Sequence, residues 1–233
     1  MCRLGHINET RLNKLHKFGN LGSFDYESYD TCESCLYNPE PLAPFIDAFL
    51  IGEGEESIAE ICLEHRRLRD AGASRAEILR GLAKVPGTYV PALYEVVHDG
   101  PCTPHGYTVP RAGEDVPPVV YKRVVKDFGS TDALTQSIVP FAGLVHDRLS
   151  VEVLRGCARG CRFCQAGMTY RPVRERTPDQ VVSAVSRGLS ETGYDEVSLT
   201  SLSTTDHSRC RQILRRLNRK LDDTGISDRK SVV

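Results

Sequence analysis

"RLSVEVLRGCARGCRFCQAG", residues 148–167, changes character half-way along. In its first half Leu149, Val151 and Val153 alternate with Ser150 and Glu152, the period of two that marks a β-strand. Its second half packs Cys157, Cys161 and Cys164 among glycines and arginines. A strand that delivers its carboxyl end to a loop of thiols puts those thiols where α/β folds gather their chemistry.

Downstream the pattern stays regular. "TPDQVVSAVSRGLSETG", residues 177–193, opens with a capping box: Thr177 at the cap, Pro178 at the first helical position and Gln180 three residues after the cap. Val181, Val185, Leu189 and Thr192 fall on one helical face, and Gly193 supplies the stop. A second strand follows in "DEVSLTSLSTTD", with Val197 and Leu199 inward, and then a Ser/Thr loop. Asp206 is placed to cap a last helix that buries Cys210, Ile213, Leu214, Leu217 and Leu221. Strand, loop, helix, strand, loop, helix with short connections is the βαβ unit of a parallel sheet or barrel.

Upstream the texture is looser. Residues 1–35 show neither helical nor strand periodicity, and their fold is undetermined. From 36, a proline-punctuated loop leads to a short apolar strand at 48–51 and a glycine turn. A helix follows with Ile58, Ile61, Cys62, His65 and Leu68 on one face. A second short helix is expected over 75–82. Residues 86–147, rich in Pro, Gly and Val, read as a linker with short strands, and 148–233 as the second module. No internal repeat is evident.

Composition narrows the class of protein. The 30 basic and 31 acidic residues nearly cancel, so no global charge draws the chain to nucleic acid or anionic membrane. A nucleic-acid partner stays open without support. No apolar run reaches the roughly 18 residues of a membrane span, and the first residues lack the apolar middle of a signal peptide. Nine cysteines, unevenly spread over 233 residues, suit thiolates used for metal in a reducing cytoplasm better than a disulfide scaffold.

Three thiolates cannot complete a tetrahedral zinc site alone, but they can hold three irons of a 4Fe–4S cube and leave the fourth iron open. Gly156 and Gly160 let the backbone turn tightly, and Phe163 offers an aromatic surface beside the site. Two readings follow. One is an enzyme that uses the open iron. The other is a non-catalytic zinc or iron–sulfur protein whose fourth ligand is His146, His207 or the pair Cys32 and Cys35.

Cys157-x-x-x-Cys161-x-Phe163-Cys164 resembles the cysteine signature of radical S-adenosylmethionine (radical SAM) enzymes. "VEVLRGCARGCRFCQAGMTYRPVRER" (151–176) and "GYDEVSLTSLSTTD" (193–206) are similar to a narrower group, uncharacterised radical SAM proteins with an N-terminal cobalamin-binding-type domain. "NPEPLAPFIDAFLIGEGEE" (38–56) resembles the end of that N-terminal domain. The resemblance implies an α/β fold. It consists of the first part of a partial (β/α)6 radical SAM barrel at 148–233, preceded at 36–85 by the end of a doubly wound cobalamin-binding-type domain. It implies a 4Fe–4S cluster on Cys157, Cys161 and Cys164, with S-adenosylmethionine chelated at the open iron. An electron from a donor such as flavodoxin or ferredoxin would cleave it to methionine and a 5′-deoxyadenosyl radical, which takes hydrogen from an unknown substrate. Phe163, Ser201, Ser203 and Thr204 stand where relatives contact S-adenosylmethionine, although the usual Gly-Gly-Glu is replaced here by Ser and Thr.

Two departures from the family bear on how much carries over. The Asp-x-His-x-x-Gly pattern that supplies a cobalt ligand is absent, so the sequence gives cobalamin no support. Only two βα units are expected, and "DDTGISDRKSVV" begins where a third barrel strand should start, so the chain reads as a truncated core. The remaining candidates have plainer readings. Arg171, Arg174 and Arg176 are expected to be solvated or structurally paired, and Glu53, Glu55 and Glu56 to start a helix whose dipole favours acids. The basic residues of the last helix, Arg209 to Lys220, are expected on a solvated outer face. Cys32 and Cys35 are read as incidental, and Cys2, Cys62, Cys102 and Cys210 as buried or unpaired thiols.

Overall fold

The computed structural model of the protein describes residues 38–98, 100, 106–131, 138–142, 147–222 and 227–229. The expectations for residues 1–35, Cys2, Cys32, Cys35, Cys102 and His146 lie outside these. The chain divides into two compact units, Met1–Val125 and Lys126–Val233.

In the first unit the short apolar strand is β1, Phe49–Leu50, paired antiparallel with β2, Thr88–Tyr89. Between them run α1, Gly54–Asp70, and α2, Arg75–Leu82. Helix α1 buries Ser57, Ile61 and His65 and half-buries Ile58 and Leu68, so the expected stripe forms. Cys62 departs from it: the neighbouring turns are covered by α2, and Cys62 faces solvent as a free thiol. The acids before α1 do start the helix, with Glu55 and Glu56 in its first turn. Glu53 sits at the cap without capping, because its carboxylate accepts a 2.6 Å hydrogen bond from the Val125 N–H. Helix α2 carries a full capping box between Ser74 and Glu77. β3, Tyr94–His98, and β4, Gly106–Pro110, form an antiparallel pair. The described strands of this unit pair antiparallel, and a single parallel bridge joins Gly52 to Arg123.

The second unit has the parallel arrangement that the period-two and helical patterns predicted. β5, Leu149–Glu152, lies beside β8, Glu196–Thr200, in parallel register. Between them the chain forms β6, Leu154–Arg155; a short helix α3, Ala166–Thr169; β7, Arg174–Glu175; and the crossover helix α4, Pro178–Thr192. Helix α5, Cys210–Leu221, then leads to β9, Ser227–Arg229, which pairs parallel with β8. This third strand falls in the stretch 222–233 where a third barrel strand is expected to start, after two βα units. Its three residues, Ser-Asp-Arg, carry no hydrophobic alternation, so their place in the sheet follows from backbone pairing that composition does not advertise.

Among the described residues, the core of this second unit is one cluster. Leu149, Val151 and Val153 meet Val181, Ala184 and Val185 of α4, Val197 and Leu199 of β8, and Ile213 and Leu217 of α5. Ser198 is buried as well, so β8 is covered on both faces, as parallel strands are. The α4 boundaries follow the sequence signals. Thr177 Oγ1 accepts from the Gln180 N–H, Gln180 Oε1 accepts from the Thr177 N–H, and Gly193 ends the helix at φ +75°. Gly188 lets α4 approach β5 closely: a Cβ there would stand 2.6 Å from Leu149 Cδ2.

The cap expected for α5 is not formed by Asp206. The helix starts at Cys210, with Arg209 in the cap position, and Asp206 closes a separate 3₁₀ turn, Thr204–Asp206. Its carboxylate is engaged elsewhere.

Candidate functional site

The strand β5 does not run straight into the cysteine loop. At Val153 the chain leaves the parallel sheet, donating its N–H to Thr200 O at 3.0 Å while its carbonyl accepts from the Arg176 N–H at 2.9 Å. Leu154 and Arg155 then pair antiparallel with Glu175 and Arg174. The excursion that carries the cysteines, 156–173, is therefore pinned together at its two ends. This pairing of β6 with β7 was not legible in the sequence, because two-residue strands leave no period.

Gly156 opens the loop at φ +90°, and a Cβ on it would lie 2.2 Å from Tyr170 O and 2.8 Å from Pro172 O. The returning chain passes directly against it, which only glycine permits. Gly160, at φ +66°, turns the chain in open space. Cys157 and Cys164 are partly exposed, Cys161 is exposed, and all three are free thiols. The Cys164 N–H donates to Cys161 O at 3.0 Å, so the second and third cysteines share one turn. A Cβ on Gly167 of α3 would lie 3.9 Å from Cys164 Sγ, and Arg171 Nε donates to Gly167 O at 2.9 Å. Phe163 projects into solvent, 92% exposed.

The thiols occupy one loop without converging. Among the described residues, no group of three or more His, Cys, Asp and Glu side chains is gathered as a metal site. The donor set nonetheless fits an iron–sulfur cluster in kind: three soft, accessible sulfurs on a glycine-hinged loop, beside the cationic Arg159.

The loop after β8 holds the other predicted residues. Ser201 Oγ and Thr204 Oγ1 share a 3.0 Å hydrogen bond, Ser201 Oγ accepts from the Ser203 N–H at 3.1 Å, and Ser203 Oγ donates to Asp206 Oδ2 at 2.8 Å. Each hydroxyl thus has a partner inside its own loop. The cysteine loop reaches this loop through Arg159, whose Nε donates to Asp206 Oδ2 and whose Nη2 donates to Oδ1, both at 2.5 Å. The guanidinium, and after it the Ser203 hydroxyl, holds the Asp206 carboxyl down at about 2. Asp206 in turn raises the Arg159 guanidinium above its usual range, with a smaller contribution from Cys157 and Cys161. Sequence reading missed this pair. Its members are 47 residues apart, and Asp206 had a simpler local role to fill.

The nearby ionisable groups are structural. Arg176 is buried, donating to Glu152 O at 3.0 Å, Thr131 O at 2.9 Å and Thr131 Oγ1 at 3.0 Å, with its guanidinium 4.4 Å from the centre of the Phe128 ring. Arg174 donates to Pro172 O at 3.2 Å. His207 is buried with both nitrogens occupied. Nδ1 accepts from the Arg209 N–H at 3.0 Å, which leaves Nε2 as the donor to Arg176 O at 2.9 Å. With both nitrogens so engaged, the ring has no free lone pair to offer a metal, which argues against His207 as a fourth ligand. Glu175 accepts from the Ser208 N–H at 2.8 Å and from its hydroxyl. Burial pushes its carboxyl up, and the two Ser208 hydrogen bonds outweigh that and bring it below its usual range.

Residues 151–231 match the protein family described as the radical SAM superfamily, and residues 32–91 match the N-terminal region of radical SAM proteins. The chain belongs to the radical SAM superfamily. The superfamily match begins within β5 and takes in the cysteine loop, the Ser/Thr loop and β9. This radical SAM chain is also 40% identical over 52 residues to the tRNA-2-methylthio-N(6)-dimethylallyladenosine synthase of Solibacter usitatus (strain Ellin6076). That alignment covers 22% of this chain and 12% of the synthase. No helix among the described residues is long and apolar enough to cross a membrane.

Proposed function

We propose that this chain carries the cluster-binding core of a radical SAM enzyme and initiates its reaction by reductive cleavage of S-adenosylmethionine. The observation that carries this reading is the three free thiols of Cys157, Cys161 and Cys164 on one hinged loop, beyond the carboxyl end of β5, within the stretch that matches the superfamily. These three cysteines would hold three irons of a 4Fe–4S cluster. When bound, the cluster supplies an electron to the sulfonium of S-adenosylmethionine, releasing methionine and a 5′-deoxyadenosyl radical.

The chain's own residues supply hinge, charge and cover. Gly156 allows the cysteine loop to fold back on Tyr170 and Pro172. Arg159 places positive charge in the sequence between two of the ligands, Cys157 and Cys161. The loop Ser201–Thr204 would hold the methionine end of S-adenosylmethionine. Ser201, Ser203 and Thr204 shape that loop through their mutual hydrogen bonds, which would leave its backbone carbonyls to accept from the amino group. Phe163, which is exposed, would cover the bound cofactor. A small one-electron carrier such as flavodoxin or ferredoxin serves as reductant in a reducing cytoplasm. The consecutive strand order β5, β8, β9 with helical crossovers supports the opening of a (β/α)6 barrel, and the sequence of 38–56 supports a cobalamin-binding-type ancestry for the first unit.

The test is anaerobic reconstitution with iron and sulfide, then reduction in the presence of S-adenosylmethionine, with Cys157→Ala as control. The expected result is an iron–sulfur absorption band and 5′-deoxyadenosine from the parent, and neither from the variant. Stoichiometric zinc binding with no uptake of iron would overturn the reading in favour of a non-catalytic metal protein.

A further inference from the structure

Between the cysteine loop and the loop after β8 there is one side-chain link of unusual construction. Arg159 lies two residues from both Cys157 and Cys161, and its Nε and Nη2 grip the two oxygens of Asp206 in a fork. Asp206 is itself fastened: Ser203 Oγ donates to its Oδ2, and its N–H donates to Ser203 O at 3.0 Å to close the 3₁₀ turn. Ser203 is tied to Ser201, and Ser201 to Thr204. A continuous line of hydrogen bonds therefore runs from a point between two cysteines to all three hydroxyls of the second loop. Arg159 is 58% exposed and Asp206 37%, and exposed pairs of this kind add little to folding stability. What a two-toothed fork does supply is fixed geometry.

We infer that Arg159 and Asp206 act together as a positioning clamp, which sets the gap between the cysteine loop and the Ser201–Thr204 loop into which the cofactor must fit. This rests on the proposed cluster-binding role of the three cysteines. The clamp touches neither substrate nor reacting atoms. It acts through the loops that it joins.

Four variants test it: Arg159→Met, Asp206→Asn, the double variant, and the exchanged pair Arg159→Asp with Asp206→Arg. Two readouts do not depend on turnover, namely the rate at which a chelator strips the reconstituted cluster and hydrogen exchange of peptides covering 156–165 and 201–207. Each single variant is expected to lose its cluster roughly tenfold faster, the magnitude typical of groups that orient metal ligands. Exchange should rise in both loops, with no change in the urea midpoint of the unit. The double variant should be no worse than either single, and the exchanged pair should recover most of the retention. Additive losses, single variants that behave as the parent, or faster exchange across the whole unit would overturn the clamp. A parent chain that takes up no iron and sulfide would overturn the cluster-binding reading, and the clamp with it. Loading of the parent with unaffected single variants would overturn the clamp alone.

Discussion

At the scale of single residues, the cysteines were legible and their support was not. Spacing and flanking glycines identify Cys157, Cys161 and Cys164 because a loop that wraps a cofactor needs its ligands close in sequence. Gly156 and Gly160 look alike in the sequence, and the structure separates them. Gly156→Ala adds a Cβ 2.2 Å from a backbone oxygen at φ +90°, so the returning chain must move. Its expected cost is about 3 kcal/mol or more, combining strain and overpacking, read as a fall in urea midpoint together with lost iron uptake. Gly160→Ala, in open space at φ +66°, should cost only about 1–2 kcal/mol, and Gly160→Asn less, with iron uptake retained. Asp206 was misread as a helix cap because "TTD" before an amphipathic run is a good local cap signal. A partner 47 residues away won the carboxylate instead.

At the scale of elements, the sequence reads well wherever a period or a cap is long enough to register. Helix α4 is flanked by its Thr177 cap and the Gly193 stop, and α2 matches its expected span. The two-residue strands β6 and β7 and the polar β9 carry no such signal, and they form because neighbouring backbone is already in place to pair with them. Gly188 belongs to this scale. It sets the separation of α4 from β5, where a methyl group would press on Leu149, itself 2% exposed. Gly188→Ala gains helix propensity, about 1 kcal/mol, but overpacking costs roughly 1–3 kcal/mol. Net destabilisation is therefore expected, measured by urea denaturation of the parent and the variant. An unchanged or higher midpoint would mean that Leu149 can move aside at no cost.

At the scale of the molecule, each unit has cores of its own, and the cysteine loop depends on the second. Its ends are pinned beside strands whose buried residues form one cluster with α4 and α5. Leu217 sits in that cluster at 1% exposure, far along the chain from any thiol. Leu217→Ala is expected to cost about 2–5 kcal/mol, and iron uptake should fall in step with the folded fraction as urea is added. Leu63→Ala, at a 56% exposed position, should stay within about 0.5 kcal/mol of the parent and take up iron normally.

The sequence alone determined that β5, α4, β8 and α5 form in the second unit and which three thiols share a loop. Hydrophobic period, caps and ligand spacing are local properties, written within a few residues of where they act. Only the tertiary structure decided that Arg159 meets Asp206, that Arg176 and His207 are held by buried hydrogen bonds, and that β6 pairs with β7. Those partners are chosen by three-dimensional proximity and by what competing groups leave unsatisfied, and neither is recorded in the neighbouring residues.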